Sequence, residues 1–144
     1  MTIGMKGQKR WKPKYPNHSS RQRRLNIFVG SSKQAAAAIL SEQKEGGHIL
    51  ISAITPWEIA MLIDKERLLL TMELDDWLAA VNSLKGIQMV PISPNVAVHS
   101  VRLPGAFHKD PADRLIVALA REVNVSVITA DSKMHDYPHV HTIW

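Results

Sequence analysis

Short apolar segments that alternate with segments of helical periodicity constrain the fold of this chain most strongly. Residues 48–54, 87–92 and 125–129 have the length and apolar character of strands, and residues 140–144 are predicted as a final edge strand. Strands that alternate with helices are typical of an open, mostly parallel α/β sheet whose faces are both covered by helices. The segment 25–29 could form a further strand, whereas nothing before it has a usable period.

The helical segments carry clear start and stop signals. Four consecutive alanines, the best helix formers, lie in the first of them, and Gly46 and Gly47 end it. The last long helix begins at Asp110 and Pro111, a natural N-cap followed by a proline in the first turn. Helices are predicted over residues 33–44, 55–66, 74–84, 94–101 and 110–123.

Composition sets broad limits on the class of protein. A chain of 144 residues fits one domain with a substantial core. It has no cysteine, which excludes disulfides and thiolate zinc sites. It also lacks a run of 18 apolar residues and an apolar secretory signal in its first twenty residues. We therefore expect a cytoplasmic protein that does not span a membrane.

The charge is distributed unevenly. Residues 1–33 contain nine Lys and Arg and no acid, and residues 34–144 contain the other nine Lys and Arg and all thirteen acids. The basic segment could hold a polyanion without sequence preference, or it could be a solvated, disordered tail. We expect two units: a basic N-terminal segment at 1–30 and a folded domain at 31–144.

Three acids lie where predicted strands lead into helices, or in the first turn of a helix. These acids are Glu58, Asp113 and Asp131. In doubly wound sheets such junctions meet at one edge and bind ligands. Clustered carboxylates repel one another unless a cation or protons neutralise them, and oxygen-only ligands suit Mg²⁺ or Mn²⁺. A metal ion there could activate water for attack on a phosphodiester.

Each acid also has a structural explanation. Glu58 would complete a capping box with Thr55, and Pro56 would take the first helical position. Asp113 would be stabilised by the helix dipole, and Asp131 could be an ordinary turn residue. Three acids at three such junctions are nevertheless unlikely to be independent caps, which favours a common site.

Other catalytic arrangements have weaker support. His135, His139 and His141 lie close together in sequence, but no third fixed ligand for a metal is evident among them. The chain has neither a Gly-x-Ser-x-Gly elbow nor a phosphate-binding glycine loop.

Taken together, the motifs resemble the VapC-like toxins of the PIN-domain family. The matching segments are ISAITPWEIA at 51–60, LP at 103–104, HKDPADRLIVALA at 108–120, VITAD at 127–131, Tyr137 and IW at 143–144. The His-x-Asp-Pro-x-Asp-Arg motif is the most specific of them. The resemblance extends from about Ser32 to Trp144.

This resemblance implies a PIN-like α/β fold and a Mg²⁺- or Mn²⁺-dependent ribonuclease. It further implies an RNA substrate, a cognate antitoxin partner and a homodimer. By position, Glu58, Asp113 and Asp131 match three of the acidic residues of the family, with Asp113 rather than Asp110 as the principal metal ligand of its motif. Arg114 and His108 belong to the same motif.

The N-terminus departs from the family pattern. Family members begin with a strand that carries a further metal-binding Asp, and spacing from Ser32 places that ligand near Lys14 or Tyr15. No acid precedes Glu42 in this chain. An altered start or a shifted reading frame is one hypothesis for this change. The segment 25–29 could replace the strand structurally but not chemically.

Three functions are therefore in competition. The first is a metal-dependent endoribonuclease of toxin–antitoxin type. The second is a catalytically impaired relative that binds a partner or RNA without cleaving it. The third is a nucleic-acid-binding module that depends on the basic segment.

Overall fold

The structure is a computed structural model, and it describes residues 24–26, 33–129 and 131–143. Within these ranges helices and strands alternate, as the apolar periodicity predicts. The elements are β1 (Arg24–Asn26), α1 (Lys33–Lys44), β2 (Ile49–Ser52), α2 (Ile54–Asp64), α3 (Leu74–Ser83), β3 (Ile87–Val90), α4 (Pro94–Val101), α5 (Pro111–Val123), β4 (Ser126–Ile128), α6 (Ser132–His135) and β5 (Thr142–Ile143).

The strands form one sheet in the order β3-β2-β1-β4-β5, and every described pair is parallel. Strands β2 and β3 lie in turn on one side of β1, and strands β4 and β5 lie in turn on its other side. This reversal beside β1 is a topological switch point, and ligands of such sheets bind at the carboxyl ends of the strands there. The predicted open parallel α/β fold is confirmed.

Strand β1 lies in the centre of this sheet. Leu25 is in register with Leu50 of β2 and with Val127 of β4. The segment 25–29, considered as a substitute first strand, therefore overlaps the central strand. Its described end is Asn26, and no acid follows before Glu42. Lys14 and Tyr15 lie outside the described residues.

Helix α5 provides much of the core. Its sequence places apolar side chains on one face, and Ile116, Val117 and Ala120 are completely buried. It packs against α4, and its buried face continues into Val127 and Met134. The start of α5 is therefore held firmly against the sheet, which fixes the position of the first-turn acids.

Helix α2 begins differently from the prediction. The helix starts at Ile54, and its N-cap residue Ala53 makes no side-chain capping bond. The Oγ1 of Thr55 is buried without a hydrogen-bond partner among the described residues. The predicted capping box between Thr55 and Glu58 is therefore wrong. The reason is that β2 turns into α2 at Ala53, so Thr55 is already inside the helix and directed into the protein.

The remaining differences concern the ends of elements. Strands are shorter than predicted, since β2 ends at Ser52 and β3 at Val90. Helix α2 ends at Asp64, before the predicted residue 66. The short helix α6 was not predicted. No helix in the described part of the chain is long and apolar enough to cross a membrane.

Candidate acidic site

Glu58 lies one turn into α2, just beyond the carboxyl end of β2. The pKa of its carboxyl is raised from the ordinary 4.5 to about 7, mainly by burial and then by the negative charges of Asp113 and Asp110. These electrostatic contributions show that α2 and α5 bring their acids together. Without a capping bond to make, Glu58 is a half-buried carboxylate in an apolar helix, which is costly unless something compensates its charge.

Asp113 occupies the first turn of α5 and is surrounded by other charged groups. Burial is the main reason that the pKa of its carboxyl rises from 3.8 to about 6. Asp110 and Asp131 raise this pKa further, whereas His108 and Lys133 lower it. Asp113 therefore connects the acids of the cluster: Asp110 and Asp131 raise its pKa, and its own charge raises the pKa of Glu58.

His108 is the nearest described base to this cluster. Its Nε2 lies 3.3 Å from Oδ2 of Asp113, and the two side chains are 22% and 17% exposed. This contact does not have hydrogen-bond geometry, since the buried Nε2 has no hydrogen-bond partner among the described residues. The His108 ring packs against Phe107, which in turn packs against Tyr137.

Asp110 has a structural role in addition to its charge. Its Oδ1 accepts hydrogen bonds from the backbone N–H groups of Ala112 at 2.9 Å and Asp113 at 3.2 Å. Pro111 follows in the first helical position. The predicted N-cap is confirmed, and it accounts for Asp110 without a role in binding a metal.

Asp131 follows β4 and caps α6. Its Oδ1 accepts a hydrogen bond from the backbone N–H of Lys133 at 2.9 Å. Its own N–H donates to Oγ1 of Thr129 at 3.1 Å. This cap uses one of the two carboxylate oxygens and fixes the side chain at the edge of the sheet that Asp113 faces.

Arg114 is the last residue of the His-x-Asp-Pro-x-Asp-Arg motif, and the structure shows what its side chain contacts. Its guanidinium donates to four backbone carbonyls: Ser100 at 2.8 Å, His108 at 3.1 Å, Phe107 at 3.2 Å and Val101 at 3.3 Å. Arg114 thereby ties the loop that carries His108, and the end of α4, to α5. The hydroxyl of Tyr137 donates to the carbonyl of Pro104 at 2.7 Å and holds the same loop from the other side.

The donor chemistry of this cluster suits a hard divalent cation. Carboxylates with raised pKa values lack compensating positive charge, and a bound cation would supply it. Among the described residues, however, no three His, Asp or Glu side chains are arranged closely enough to share one ion. The acids are thus gathered in one place without forming a finished coordination sphere.

The C-terminal histidines do not form a metal site in the described part of the chain. The Nε2 of His135 lies 2.9 Å from the carbonyl oxygen of Thr129. His139 and His141 line a cavity elsewhere, beside the beginning of β4. The weaker hypothesis of a histidine metal centre therefore gains no support from the geometry.

Comparison with known proteins identifies relatives of this chain. The PIN domain family model matches residues 25–140. Ribonuclease VapC22 of Mycobacterium tuberculosis (strain ATCC 25618 / H37Rv) is 36% identical over 98 residues, which cover 67% of this chain and 74% of the relative.

Two solved structures share the fold. A toxin–antitoxin complex from Klebsiella pneumoniae matches with a TM-score of 0.51 at 19% identity, over 83% of this chain and 95% of that one. VapBC2 from Rickettsia felis, bound to a DNA fragment from its promoter, matches with a TM-score of 0.57 at 14% identity, over 84% and 97%. The family match covers the acidic cluster and strands β2, β3 and β4, and the chain belongs to the PIN domain family as a VapC-like member.

Proposed function

We propose that this chain is a metal-dependent endoribonuclease of toxin–antitoxin type that hydrolyses RNA phosphodiester bonds. One observation carries the proposal: Glu58, Asp113 and Asp131 converge at the carboxyl edge of the sheet, beside its switch point, in a VapC-like PIN domain. The ribonuclease name of the Mycobacterium tuberculosis relative supports the reaction class.

Asp113, Asp131 and Glu58 would hold Mg²⁺ or Mn²⁺. When bound, such an ion supplies an activated water and stabilises the charge that develops on the phosphodiester. Asp113 lies between the other acids and would be the principal ligand. Asp131, held by its bond to Lys133 N–H, presents its second oxygen in a fixed direction.

The neighbouring residues orient this site. Arg114 keeps the loop with His108 against α5, so that the imidazole stays beside Oδ2 of Asp113. Asp110 holds the first turn of α5 and thereby the backbone of Asp113. Glu58, whose pKa is about 7, exchanges a proton near neutral pH and becomes a better ligand when it is deprotonated.

The same family membership supports proposals for the partners and the compartment. The solved neighbours are toxin–antitoxin complexes, so we propose a cognate antitoxin as protein partner and a homodimer as the oligomer. Large apolar side chains are exposed, including Trp57 at 51% and Leu69 at 90%, and they would supply contact area. We also propose a cytoplasmic location, which an RNA substrate and an antitoxin partner would require.

The domain organisation is also a proposal. We retain a basic N-terminal segment at 1–30 and a PIN-like domain at 31–144, with one addition. The domain takes β1 (Arg24–Asn26) from the end of the basic segment as its central strand.

A catalytically impaired PIN-like protein is the second candidate, and one observation favours it. No acid precedes Glu42, so the central strand contributes no carboxylate to the cluster. In that case the chain would bind an antitoxin-like partner or RNA without cleaving it.

The two candidates are separated by incubating the purified protein with structured RNA and Mn²⁺. We expect cleavage that requires the metal and is lost in Asp113→Asn. Asp64→Asn, which removes an exposed carboxylate at the end of α2, is the matched control and should cleave like the wild type. Folded protein that binds RNA or a partner but gives no products would favour the impaired relative.

A further inference from the structure

A polar cavity lies at the opposite edge of the sheet from the acidic cluster. It has a volume of about 490 Å³ and lies between the end of α5, the beginning of β4 and the loop that leads into β5. This size is within the range of small-molecule sites. Because β4 is three residues long, the two edges are separated by roughly 10 Å of strand.

The groups that line this cavity favour a negatively charged ligand. Arg121, His139 and His141 supply cationic or hydrogen-bonding nitrogen, and Asn124 and Ser126 add polar groups. No carboxylate is present among the described residues that line it. Such a lining attracts anions, and the described residues hold no group of three metal ligands there.

The end of α5 does not oppose this charge strongly. The carboxyl end of a helix carries partial negative charge on its unpaired carbonyls. Here the carbonyl of Ala120 accepts a hydrogen bond from Val125 N–H at 3.0 Å, and that of Arg121 accepts one from Asn124 N–H at 3.4 Å. These bonds occupy carbonyls of the last turn. The Arg121 guanidinium has five N–H donors, and one of them, on Nη1, donates to the carbonyl of His139.

The basic N-terminal segment joins the domain beside the same cavity. In the sheet register, Arg24 at the beginning of β1 is opposite Ser126, a residue of the cavity lining. Nine Lys and Arg without any acid lie within residues 1–33. The described end of the basic segment therefore lies beside the cavity, whose own positive charge comes from Arg121.

We propose that this cavity binds a phosphate group of a nucleotide, as part of an RNA strand or as a free nucleotide, at a site separate from the acidic cluster. Arg121 and His141 donate to the phosphate oxygens. The RNA form of the ligand rests on the proposed function, whereas the nucleotide chemistry rests on the cavity alone.

The test measures binding rather than cleavage, so that it is independent of catalysis. A fluorescein-labelled single-stranded RNA of about ten nucleotides and a labelled adenosine monophosphate are titrated with the full chain in EDTA, by anisotropy, at several salt concentrations. The variants are Arg121→Gln and His141→Gln. Arg67→Gln, an exposed residue outside the cavity lining, is the control for loss of one positive charge.

We expect both cavity variants to weaken RNA binding about 3- to 10-fold and Arg67→Gln to leave it unchanged. Loss of one phosphate contact should reduce the slope of log K against log salt by about 0.7 for a single strand. Weakened binding of the free nucleotide as well would show that the cavity accepts a single nucleotide. An effect on RNA alone would show that the ligand is the polynucleotide.

His141→Gln guards against a folding artefact, because its side chain is exposed whereas Arg121 also holds the loop. Circular dichroism and thermal melts confirm that the variants are folded. The proposal is overturned if folded Arg121→Gln and His141→Gln bind RNA like the wild type. It is also overturned if binding is lost only when Lys9, Arg10 and Lys12 of the basic segment are changed to Gln, because the segment alone would then bind the RNA.

Discussion

Helices α2 and α5 both begin at the carboxyl edge of the sheet, yet their first turns are stabilised in different ways. Helix α5 has a capping aspartate, Asp110, a proline at its first position and a buried apolar face. Helix α2 has no side-chain cap, and Thr55 in its first turn is buried without a hydrogen bond among the described residues. Glu58 of α2 is therefore not used to cap the start of its helix.

This difference separates two carboxylates that lie in the same cluster. Asp110 is explained by the two backbone N–H groups that it accepts. Glu58 has no such bond among the described residues, and its pKa is raised to about 7 by burial and by the acids of α5. A half-buried acid without a structural role is a better candidate for chemistry than one that caps a helix.

The largest expected effect is on RNA cleavage, and it contrasts these two acids. Glu58→Gln should lower the cleavage rate with Mn²⁺ by about 10²- to 10³-fold, because the ion that would stabilise the transition-state charge loses a ligand; this range is the usual cost of losing one source of such stabilisation. Asp110→Asn should have a much smaller effect, because asparagine is an equally good N-cap. Initial rates on a defined RNA substrate measure both. Equal losses in the two variants would remove the distinction between the acids.

The next effect concerns how the start of α5 is held. Arg114→Ala should lower the free energy of unfolding by about 2 kcal/mol, because four carbonyls lose a charged donor. Arg114→Lys should recover only part of this loss, since an ammonium cannot reproduce the planar fork. Urea denaturation of both variants provides the values. Arg102→Ala, at an exposed position after α4, is the control and should stay near the wild type.

A smaller pair of effects tests the two helix starts directly. Asp110→Ala should cost about 1 kcal/mol of stability, as loss of an N-cap does. Thr55→Val should be neutral or slightly stabilising, because it removes a buried hydroxyl without a hydrogen bond and keeps the shape of the side chain. Thermal melts under identical conditions compare them. A loss of about 1 kcal/mol in Thr55→Val would restore the capping interpretation of α2.

A further test is the pH dependence of stability without metal. The folded pKa values of Glu58 and Asp113, about 7 and about 6, lie above the ordinary 4.5 and 3.8. The folded state then binds more protons than the unfolded state between about pH 4 and 7, so these two acids make stability fall as the pH rises through that range.

Melts of the wild type and of Glu58→Gln from pH 4.5 to 8 measure this contribution. The glutamine variant should lose less stability across the range and be the more stable of the two at pH 8. Identical pH profiles would show that the Glu58 carboxyl titrates alike in the folded and unfolded states.

The sequence predicted α5 and α4 accurately because local signals agreed there. Asp110, Pro111 and the periodic apolar face of α5 all indicate the same helix, and its start is where the structure places it. Ser93 accepts a hydrogen bond from Val96 N–H and so caps α4 at its predicted beginning. Where cap, proline and periodicity coincide, local chemistry is sufficient to fix an element.

Other features depend on contacts that the sequence does not reveal. The capping box at Thr55 failed because the turn at Ala53 starts the helix earlier than the local pattern indicates. Helix α6 is only four residues long, too short to show a helical period. Arg114 donates to carbonyls of a nearby loop and of α4, where Ser100 is 14 residues away in sequence. Only the folded chain brings these carbonyls together.

For the site, the sequence predicted the three acids, and the fold brings them into one electrostatic cluster. Their roles as ligands remain a prediction. The sequence could not indicate that the charge of Asp131 raises the pKa of Asp113, because this depends on the distance between α5 and the end of β4. It also could not show that a short segment beginning at Arg24 occupies the centre of the sheet.

Mn²⁺ binding measured by titration calorimetry tests the central claim most directly, namely that Glu58, Asp113 and Asp131 form a metal site in which Asp110 is only a cap. The wild type is compared with Glu58→Gln, Asp113→Asn and Asp110→Asn at pH 8. We expect the affinity to fall at least about tenfold in the first two variants and to change little in the third. Wild-type affinity in Glu58→Gln and Asp113→Asn, or a larger loss in Asp110→Asn, would contradict the account.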